Sequence, residues 1–243
     1  MNYLELLNEN INKFIPVFIK TSIVLFFIPY IGSKTTPLMF RFFFAICLSL
    51  ATMPYVPELK QDFFISIFNA LVLGLLIGLM VRLIISALEM ASQWISIQVG
   101  FTIANVFNPQ FGEVFGPLTI FYEMFMIALF FSVDFHLNLI EIMIKSFDIT
   151  YSKTLFGNLL EFSSIIFSLS LKLSAPVLLI QLLMNLGLGF LNRIMPQANV
   201  FFVGFPLLLA TGIAAIWLSF PMFTMVISKA LFNLKDALIS MLR

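Results

Sequence analysis

The chain has 243 residues and a formal net charge of +1, and 61% of its residues are hydrophobic against 10% charged. A soluble domain of this length cannot bury so much apolar surface, because the surface of a folded chain grows too slowly with its mass. Nucleic-acid binding is disfavoured, because there is no excess of basic charge. With a mean hydropathy of +1.07, the composition predicts an integral membrane protein.

Seven apolar segments follow one another along the chain, with no repeat or linker between them. They are typical of an all-α fold and predict a single helical unit over residues 1–243. A hydrophilic connection, Lys145–Glu161, and a short amphipathic tail, Ser228–Arg243, complete the chain. The seven segments cover about Phe14–Ile31, Phe42–Val56, Phe63–Val81, Ala87–Pro117, Val114–Ile144, Phe162–Leu191 and Ala198–Ile227, the last with breaks expected at Gly204–Pro206 and Pro221.

The third segment contains Gly74 and Gly78, four residues apart, which allows close approach of another helix unless the spacing is a coincidence. In the fourth segment Ser92, Ser96 and Gly100 also recur every four residues. They give this helix one small, polar face, which suits close helix contact or an aqueous lumen better than lipid.

An irregular connection follows this polar-faced helix. Its turn-forming residues are Asn108, Pro109, Gly112, Gly116 and Pro117, and phenylalanines recur between them at Phe107, Phe111 and Phe115. Irregular backbone between two apolar helices must be buried in protein, line an aqueous cavity or lie outside the bilayer. We expect this loop to lie in a passage, where its phenylalanines obstruct the closed lumen. An ordinary interhelical turn with core phenylalanines is the alternative.

Three charged residues interrupt apolar segments, namely Lys20, Glu123 and Lys172. Each costs roughly 2.5–3.5 kcal/mol at the centre of a bilayer. We therefore expect these charges to be buried and paired within the bundle, or to lie outside lipid, with a proton relay as the alternative.

No sequence motif of a catalytic or cofactor site is present. The chain lacks a P-loop, a nucleophile elbow and an HExxH motif, and it has a single histidine and a single cysteine. We expect no catalytic residues, no cofactor and no metal site, so the protein is not predicted to be an enzyme.

Two stretches resemble the FliR family of flagellar biosynthesis proteins, whose injectisome counterparts are the SctT family. The first is Ala87–Phe101 with Asn108–Pro109 following, and the second is Asn185–Pro206. The second is the more specific, because it combines features that together are hard to match by chance: Arg193, the pair Pro196 and Gln197, and Asn199–Phe201. The form of Gly204–Pro206 favours a flagellar rather than a virulence-type protein.

The resemblance implies a core subunit of the type III export gate in the bacterial inner membrane, within the flagellar basal body. In this family the subunit joins FliP and FliQ in a helical spiral, a hetero-oligomer through which unfolded flagellar proteins pass. FlhB wraps the cytoplasmic mouth, and the basal-body membrane ring surrounds the spiral. The resemblance also implies a plug loop at about Asn105–Pro117. We expect Arg193, Gln197 and Asn199 to cap and bond helix ends between the sixth and seventh segments, with contact to the exported substrate as the alternative, and Pro196 to serve helix packing or a subunit contact.

Two other functions remain open at this point. The subunit could nucleate the FliP–FliQ spiral without any role in gating. It could also be a secondary transporter, although the inverted repeats of that class are not seen.

Overall fold

The structure is a computed structural model that describes residues 3–28, 36–57, 62–101, 117–147, 153–195 and 200–241. Within these ranges every regular element is a helix, so the predicted all-α fold class is confirmed. The helices are α1 (Tyr3–Phe27), α2 (Leu38–Thr52), α3 (Phe63–Val99), α4 (Pro117–Ser132), α5 (Phe135–Lys145), α6 (Lys153–Ile194) and α7 (Val200–Met241), with a 3-10 turn at Met53–Tyr55.

Prolines mark several of the helix ends. Helix α1 ends two residues before Pro29, and Pro54 lies in the 3-10 turn that follows α2. Pro117 is the first residue of α4, a position where the missing N–H would have no partner within the helix. At these positions proline coincides with a helix boundary, because it has no backbone N–H to donate and disfavours the helical conformation in the residue before it.

Helix α3 joins two segments that the sequence separated. It runs for 37 residues, or about 55 Å at 1.5 Å per residue, because nothing between Val81 and Ala87 breaks a helix. It ends at Gly100, whose φ of 93° lies in the left-handed region. The backbone N–H groups of Gly100 and Phe101 donate to the carbonyl oxygen of Ser96, at 3.1 and 3.0 Å. This glycine cap satisfies a carbonyl that the helix end would otherwise leave unpaired.

The predicted fifth segment is divided in the structure. Helices α4 and α5 are separated at Val133–Asp134, and Asp134 has a φ of 55°. The side-chain amide of Asn138 donates to the carbonyl oxygen of Asp134 at 3.1 Å, which holds the first turn of α5. An aspartate tolerates the left-handed conformation better than most residues, which explains a break with no glycine or proline.

Helices α6 and α7 are longer than the sequence predicted. Each has 42 residues, and α7 continues through Pro206 and Pro221 to Met241. The predicted breaks at Gly204–Pro206 and Pro221 are therefore wrong, and the predicted amphipathic tail is the last part of α7. A proline removes one helical hydrogen bond, but the surrounding apolar sequence offers the other backbone groups no partner outside the helix.

The chain divides into two compact units. Unit 1 comprises Met1–Ile84, Phe131–Ser164 and Leu231–Arg243, and unit 2 comprises Ile85–Phe130 and Ile165–Ala230. Helices α3, α4, α6 and α7 contribute residues to both units. The single FliR-type unit expected over residues 1–243 stays a prediction.

Each unit buries apolar side chains from several helices. In unit 2, the ring centroid of Phe223 on α7 lies 4.7 Å from that of Tyr122 on α4, and the centroids of Phe125 and Phe220 are 4.4 Å apart. In unit 1 the side chains of Val17, Val24, Leu73, Met80, Leu139, Leu234 and Leu238 are buried. Both units therefore have a core of their own.

Five of the described helices are long and apolar enough to cross a membrane. Helices α4 and α5 meet the same criterion only when they are taken together as one interrupted span. In the candidate spans, 61% of the residues of α3 are buried, whereas the value for α2 is 17% and for α7 is 22%. Helix α3 is thus the main core helix, and the others present apolar side chains to their surroundings.

Candidate functional site: buried polar contacts between the helices

Lys20 is the one predicted buried charge that the structure buries fully, with a side chain only 1% exposed. Its Nζ donates to Ser146 Oγ at 2.8 Å and lies 3.4 Å from the centroid of the Phe147 ring. Ser146 Oγ in turn donates to the carbonyl oxygen of Met143 at 2.8 Å. The buried nitrogen is thus stabilised by a hydroxyl and an aromatic face, and we call Lys20, Ser146 and Phe147 the Lys20 centre.

The glycines of α3 lie against α1, beside this centre. A Cβ on Gly74 would lie 3.2 Å from the carbonyl oxygen of Lys20, and one on Gly78 would lie 2.5 Å from the Phe27 ring. The missing side chains therefore let α3 approach α1 closely at the level of the buried lysine. This contact is within the chain, which leaves an inter-subunit role for the two glycines a prediction.

The small polar face of α3 is buried in unit 2. The side chains of Ser92 and Ser96 are 0% and 2% exposed. Ser92 Oγ donates to the carbonyl oxygen of Glu89 at 2.7 Å, and Ser96 Oγ is buried with no hydrogen-bond partner in the described part of the chain. A Cβ on Gly100 would lie 3.1 Å from Cε2 of Phe205 on α7. Of the two interpretations given above for this face, the contacts within this chain match close helix packing.

A second buried polar contact, which we call the Gln181 junction, was missed by the sequence analysis. Gln181 on α6 is 0% exposed, and its Nε2 donates to the carbonyl oxygen of Leu208 on α7 at 2.9 Å. A Cβ on Gly212 would lie 2.5 Å from Val99 Cγ1 and 2.6 Å from Gln181 Nε2. Helices α3, α6 and α7 therefore meet at a glycine. A lone glutamine within a long apolar run was the available signal.

Lys172, expected to be buried, is exposed on α6. Residues two apart on a helix point to nearly opposite sides, and its neighbours Ser170 and Ser174 occupy the buried face. Glu123 is half-buried on α4, and Arg193 is exposed in the last turn of α6. Glu123 and Lys172 belong to unit 2 and Lys20 to unit 1, and the hydrogen-bond partner of Lys20 is a serine rather than a carboxylate.

The remaining predicted residues fall outside the described part of the chain, except for Pro117, which is exposed at the start of α4. Their roles stay predictions. They are Phe107, Asn108, Pro109, Phe111, Gly112, Phe115 and Gly116 of the proposed plug loop, and Pro196, Gln197 and Asn199 between α6 and α7.

Helix α6 carries two exposed glycines that packing within the described part of the chain does not explain. Gly187 and Gly189 are exposed, and a Cβ added at either would meet nothing within 4 Å. A glycine inside a helix costs about 1 kcal/mol relative to alanine. Large apolar side chains surround them, including Leu183, Leu186 and Phe190, which are 68%, 54% and 65% exposed. Because residues two apart point to nearly opposite sides of a helix, each glycine exposes backbone on its own side of α6, among apolar side chains.

Comparison with known sequences identifies the family. The sequence model described as bacterial export proteins, family 1, matches residues 11–234. The chain belongs to this family. The flagellar biosynthetic protein FliR of Aquifex aeolicus (strain VF5) is 30% identical to it over 219 residues, 84% of this chain and 84% of that protein.

Other relatives have the same description. FliR of Bacillus subtilis (strain 168) is 29% identical over 213 residues, covering 82% of each chain, and FliR of Escherichia coli (strain K12) is 26% identical over 197 residues, covering 76% of each. The predicted membership of the FliR family is confirmed. With its apolar helices, the chain is an integral membrane protein of the flagellar export apparatus.

Proposed function

We propose that this chain is a core subunit of the flagellar type III export gate in the bacterial inner membrane, where it forms a gated channel for unfolded flagellar proteins with FliP and FliQ. FlhB and the basal-body membrane ring are its further partners. The family match over residues 11–234 supports the role in export. The apolar exposed faces of α2, α6 and α7 support burial against other hydrophobic surfaces.

The exposed Gly187 of α6 is the observation that carries the assembly. Within the bilayer, helices associate through close packing at small residues rather than through the hydrophobic effect, because lipid tails are as apolar as leucine. Gly187 provides such a surface on one side of α6, and a Cβ there would meet no atom of the described part of this chain within 4 Å. A helix of a partner subunit packed on that side accounts for this glycine; Gly189 faces nearly the opposite side.

The test of assembly is co-purification from the native membrane. We expect the tagged chain to carry FliP and FliQ with it, and Gly187→Leu to reduce their recovery strongly while the chain itself stays folded. Ser168→Leu, an exposed position on the same helix, is the control for added bulk. Recovery of the full complex with Gly187→Leu would contradict a helix contact at Gly187.

Residues 105–117 are proposed to close the channel at rest. The segment contains three phenylalanines and is connected to α3 through Gly100 and to α4 at Pro117. Glycine and proline allow such a connection to change conformation without breaking a helical hydrogen-bond ladder.

The gating test is deletion of residues 107–116 in the assembled complex. We expect ion leakage across the membrane to rise, because the obstruction is gone. Unchanged leakage with normal secretion by a correctly assembled complex would favour a structural nucleator of the spiral. Transport by the purified chain alone in liposomes would favour a secondary transporter.

A further inference from the structure

The C-terminal end of α6 is exposed on nearly every side. From Leu182 to Ile194 every residue is exposed except Met184, which is half-buried, and Leu188, which is buried. Few side chains of unit 2 therefore cover this end of the helix, and its surface is available to other molecules.

This exposed end has a polar side and an apolar side. Four residues without apolar side chains fall on one side of the helix, which has about 3.6 residues per turn. We call them the asparagine face: Asn185, Gly189, Asn192 and Arg193. Leu182 lies at the N-terminal end of this face. The opposite side carries Leu183, Phe190 and Ile194, which are 68%, 65% and 75% exposed. An exposed helix with two such sides suits an apolar contact on one of them and water on the other.

Gly189 lies in the middle of the asparagine face and leaves its backbone open. A Cβ there would meet nothing within 4 Å, so packing in the described part of the chain does not require a glycine. Close approach of a bound molecule to the helix backbone accounts for it. Arg193 is the only charged residue of this face, and the sequence has no aspartate or glutamate between Glu161 and Asp236. The face therefore combines amides, which donate and accept hydrogen bonds, with a guanidinium, which donates them.

The asparagine face lies beside the end of α3. Leu188, one helical turn from both asparagines, contacts Gly204 on α7, where a Cβ would lie 3.1 Å from Leu188 Cδ1. The next residue of α7, Phe205, approaches Gly100, whose Cβ position is 3.1 Å from Phe205 Cε2. Because Gly100 caps α3, residues 102–116, which are proposed to close the channel, begin next to this part of α6.

We propose that the asparagine face lines the passage and binds the backbone of the unfolded polypeptide during export. This inference rests on the function proposed above and names the residues that contact the substrate. Every residue of an unfolded chain has a backbone carbonyl, and every residue except proline has an N–H. Asparagine amides pair with both groups and the guanidinium pairs with carbonyls, whatever the side chains of the substrate are. Gly189 leaves room for the polypeptide between the polar side chains.

A partner helix suits this face less well than an extended polypeptide. The backbone groups of a helix are bonded to one another, so they are not available to the two asparagines. A helix would have to bring polar side chains at matching positions. An extended chain presents unpaired backbone groups at every residue, about every 3.3 Å.

The experiment uses the assembled complex in its native membrane, with an export substrate fused to a stably folded domain that holds the polypeptide in the channel. A photoactivatable phenylalanine derivative replaces Asn185 or Asn192, and Leu183 or Phe190 as matched controls on the opposite side of α6. Co-purification of FliP and FliQ shows that each variant assembles. We expect cross-links to the substrate from the two asparagine positions and to a partner subunit from the two controls. Equal cross-linking of the substrate from both sides, or cross-links from the asparagine positions to partner subunits alone, would overturn the proposal.

The same derivative at Phe111 separates this inference from the function on which it rests. Substrate cross-links from position 111 with none from positions 185 and 192 would overturn the asparagine face alone. Absence of substrate cross-links from every position, in a chain that purifies without FliP and FliQ, would overturn the proposed function as well.

Two glycine positions on opposite sides of α6 give a functional test. Gly189→Leu should leave the recovery of FliP and FliQ at the parental level and reduce secretion several-fold, because the added side chain occupies the passage. Gly187→Leu should instead reduce the recovery of the partners. Gly189→Ala, which adds only a methyl group, should secrete at close to the parental rate. Parental secretion with Gly189→Leu, or loss of the partners with it, would contradict a passage at this face.

Discussion

The Lys20 centre and the Gln181 junction solve the same problem with different chemistry. Each brings one buried polar side chain into a contact between helices, Lys20 in unit 1 and Gln181 in unit 2. Lys20 meets a hydroxyl and an aromatic ring, whereas Gln181 meets a backbone carbonyl. The charged group depends on the identity of its partner side chain, and the neutral one depends on the close approach of α7.

Close approach at the Gln181 junction requires a residue without a side chain. The position of a Cβ on Gly212 would overlap both Val99 and Gln181, at distances that side chains do not adopt. Beside the Lys20 centre the nearest atoms lie 3.2 Å from a Cβ on Gly74 and 2.5 Å from one on Gly78, but they belong to the Lys20 backbone and to the Phe27 ring. Substitution of the glycine should therefore strike the buried polar side chain directly only at the Gln181 junction.

The largest effect is expected from Gly212→Val. The added side chain displaces Val99 and Gln181 together, which combines overpacking with loss of a buried hydrogen bond, about 3 kcal/mol in the free energy of unfolding. Thermal unfolding of the purified chain in detergent measures it. Gly187→Ala is the matched control in α6, where the added methyl group meets nothing and should leave stability unchanged or slightly higher. Equal stability of the two variants would contradict the tight contact.

Ser146→Ala should have the next largest effect. It leaves the buried Lys20 nitrogen without its hydroxyl partner, at a cost of about 2 kcal/mol, within the range for leaving a buried polar group unsatisfied. The same change in a Lys20→Met background should cost much less, because no buried amine then needs the hydroxyl. A double-mutant cycle on unfolding free energies gives the coupling. Additive effects of the two substitutions would show that the contact is not a source of stability.

The sequence was sufficient for the fold class and for the family but not for where the helices end. Composition predicted membrane helices, and the motifs of Ala87–Phe101 and Asn185–Pro206 identified the family. Glycine and proline do not always break a helix, since Pro206 and Pro221 lie within α7. Other residues can also mark a break, because Asp134 lies between α4 and α5 with neither glycine nor proline beside it. A single residue type therefore does not show whether a helix breaks, because the surrounding apolar sequence also decides whether the backbone can leave the helix.

The candidate site could be predicted only in part, for a related reason. Lys20 stands out in the sequence because charge is rare in an apolar segment. Its partner Ser146 is 126 residues away, so the spacing of residues along the sequence could not predict the contact. Lys172 was expected to be buried by the same argument, and the face it occupies was decided by the packing of Ser170 and Ser174. Gln181 gives a weaker signal in the sequence than either lysine, because it carries no charge.

The smallest effect is expected from Gln181→Leu. This substitution tests whether the Gln181 junction depends less on its polar side chain than the Lys20 centre does. The substitution removes a hydrogen bond to a backbone carbonyl, but it also removes Oε1, which is buried without a hydrogen-bond partner among the described residues. These effects oppose each other, so the net change in unfolding free energy should stay below about 1 kcal/mol. Gln181→Ala, which leaves a cavity next to Val99, should cost more. Thermal unfolding of both variants beside the parent chain separates the effects. If leucine is as damaging as alanine, the hydrogen bond to α7 matters more than the packing around it.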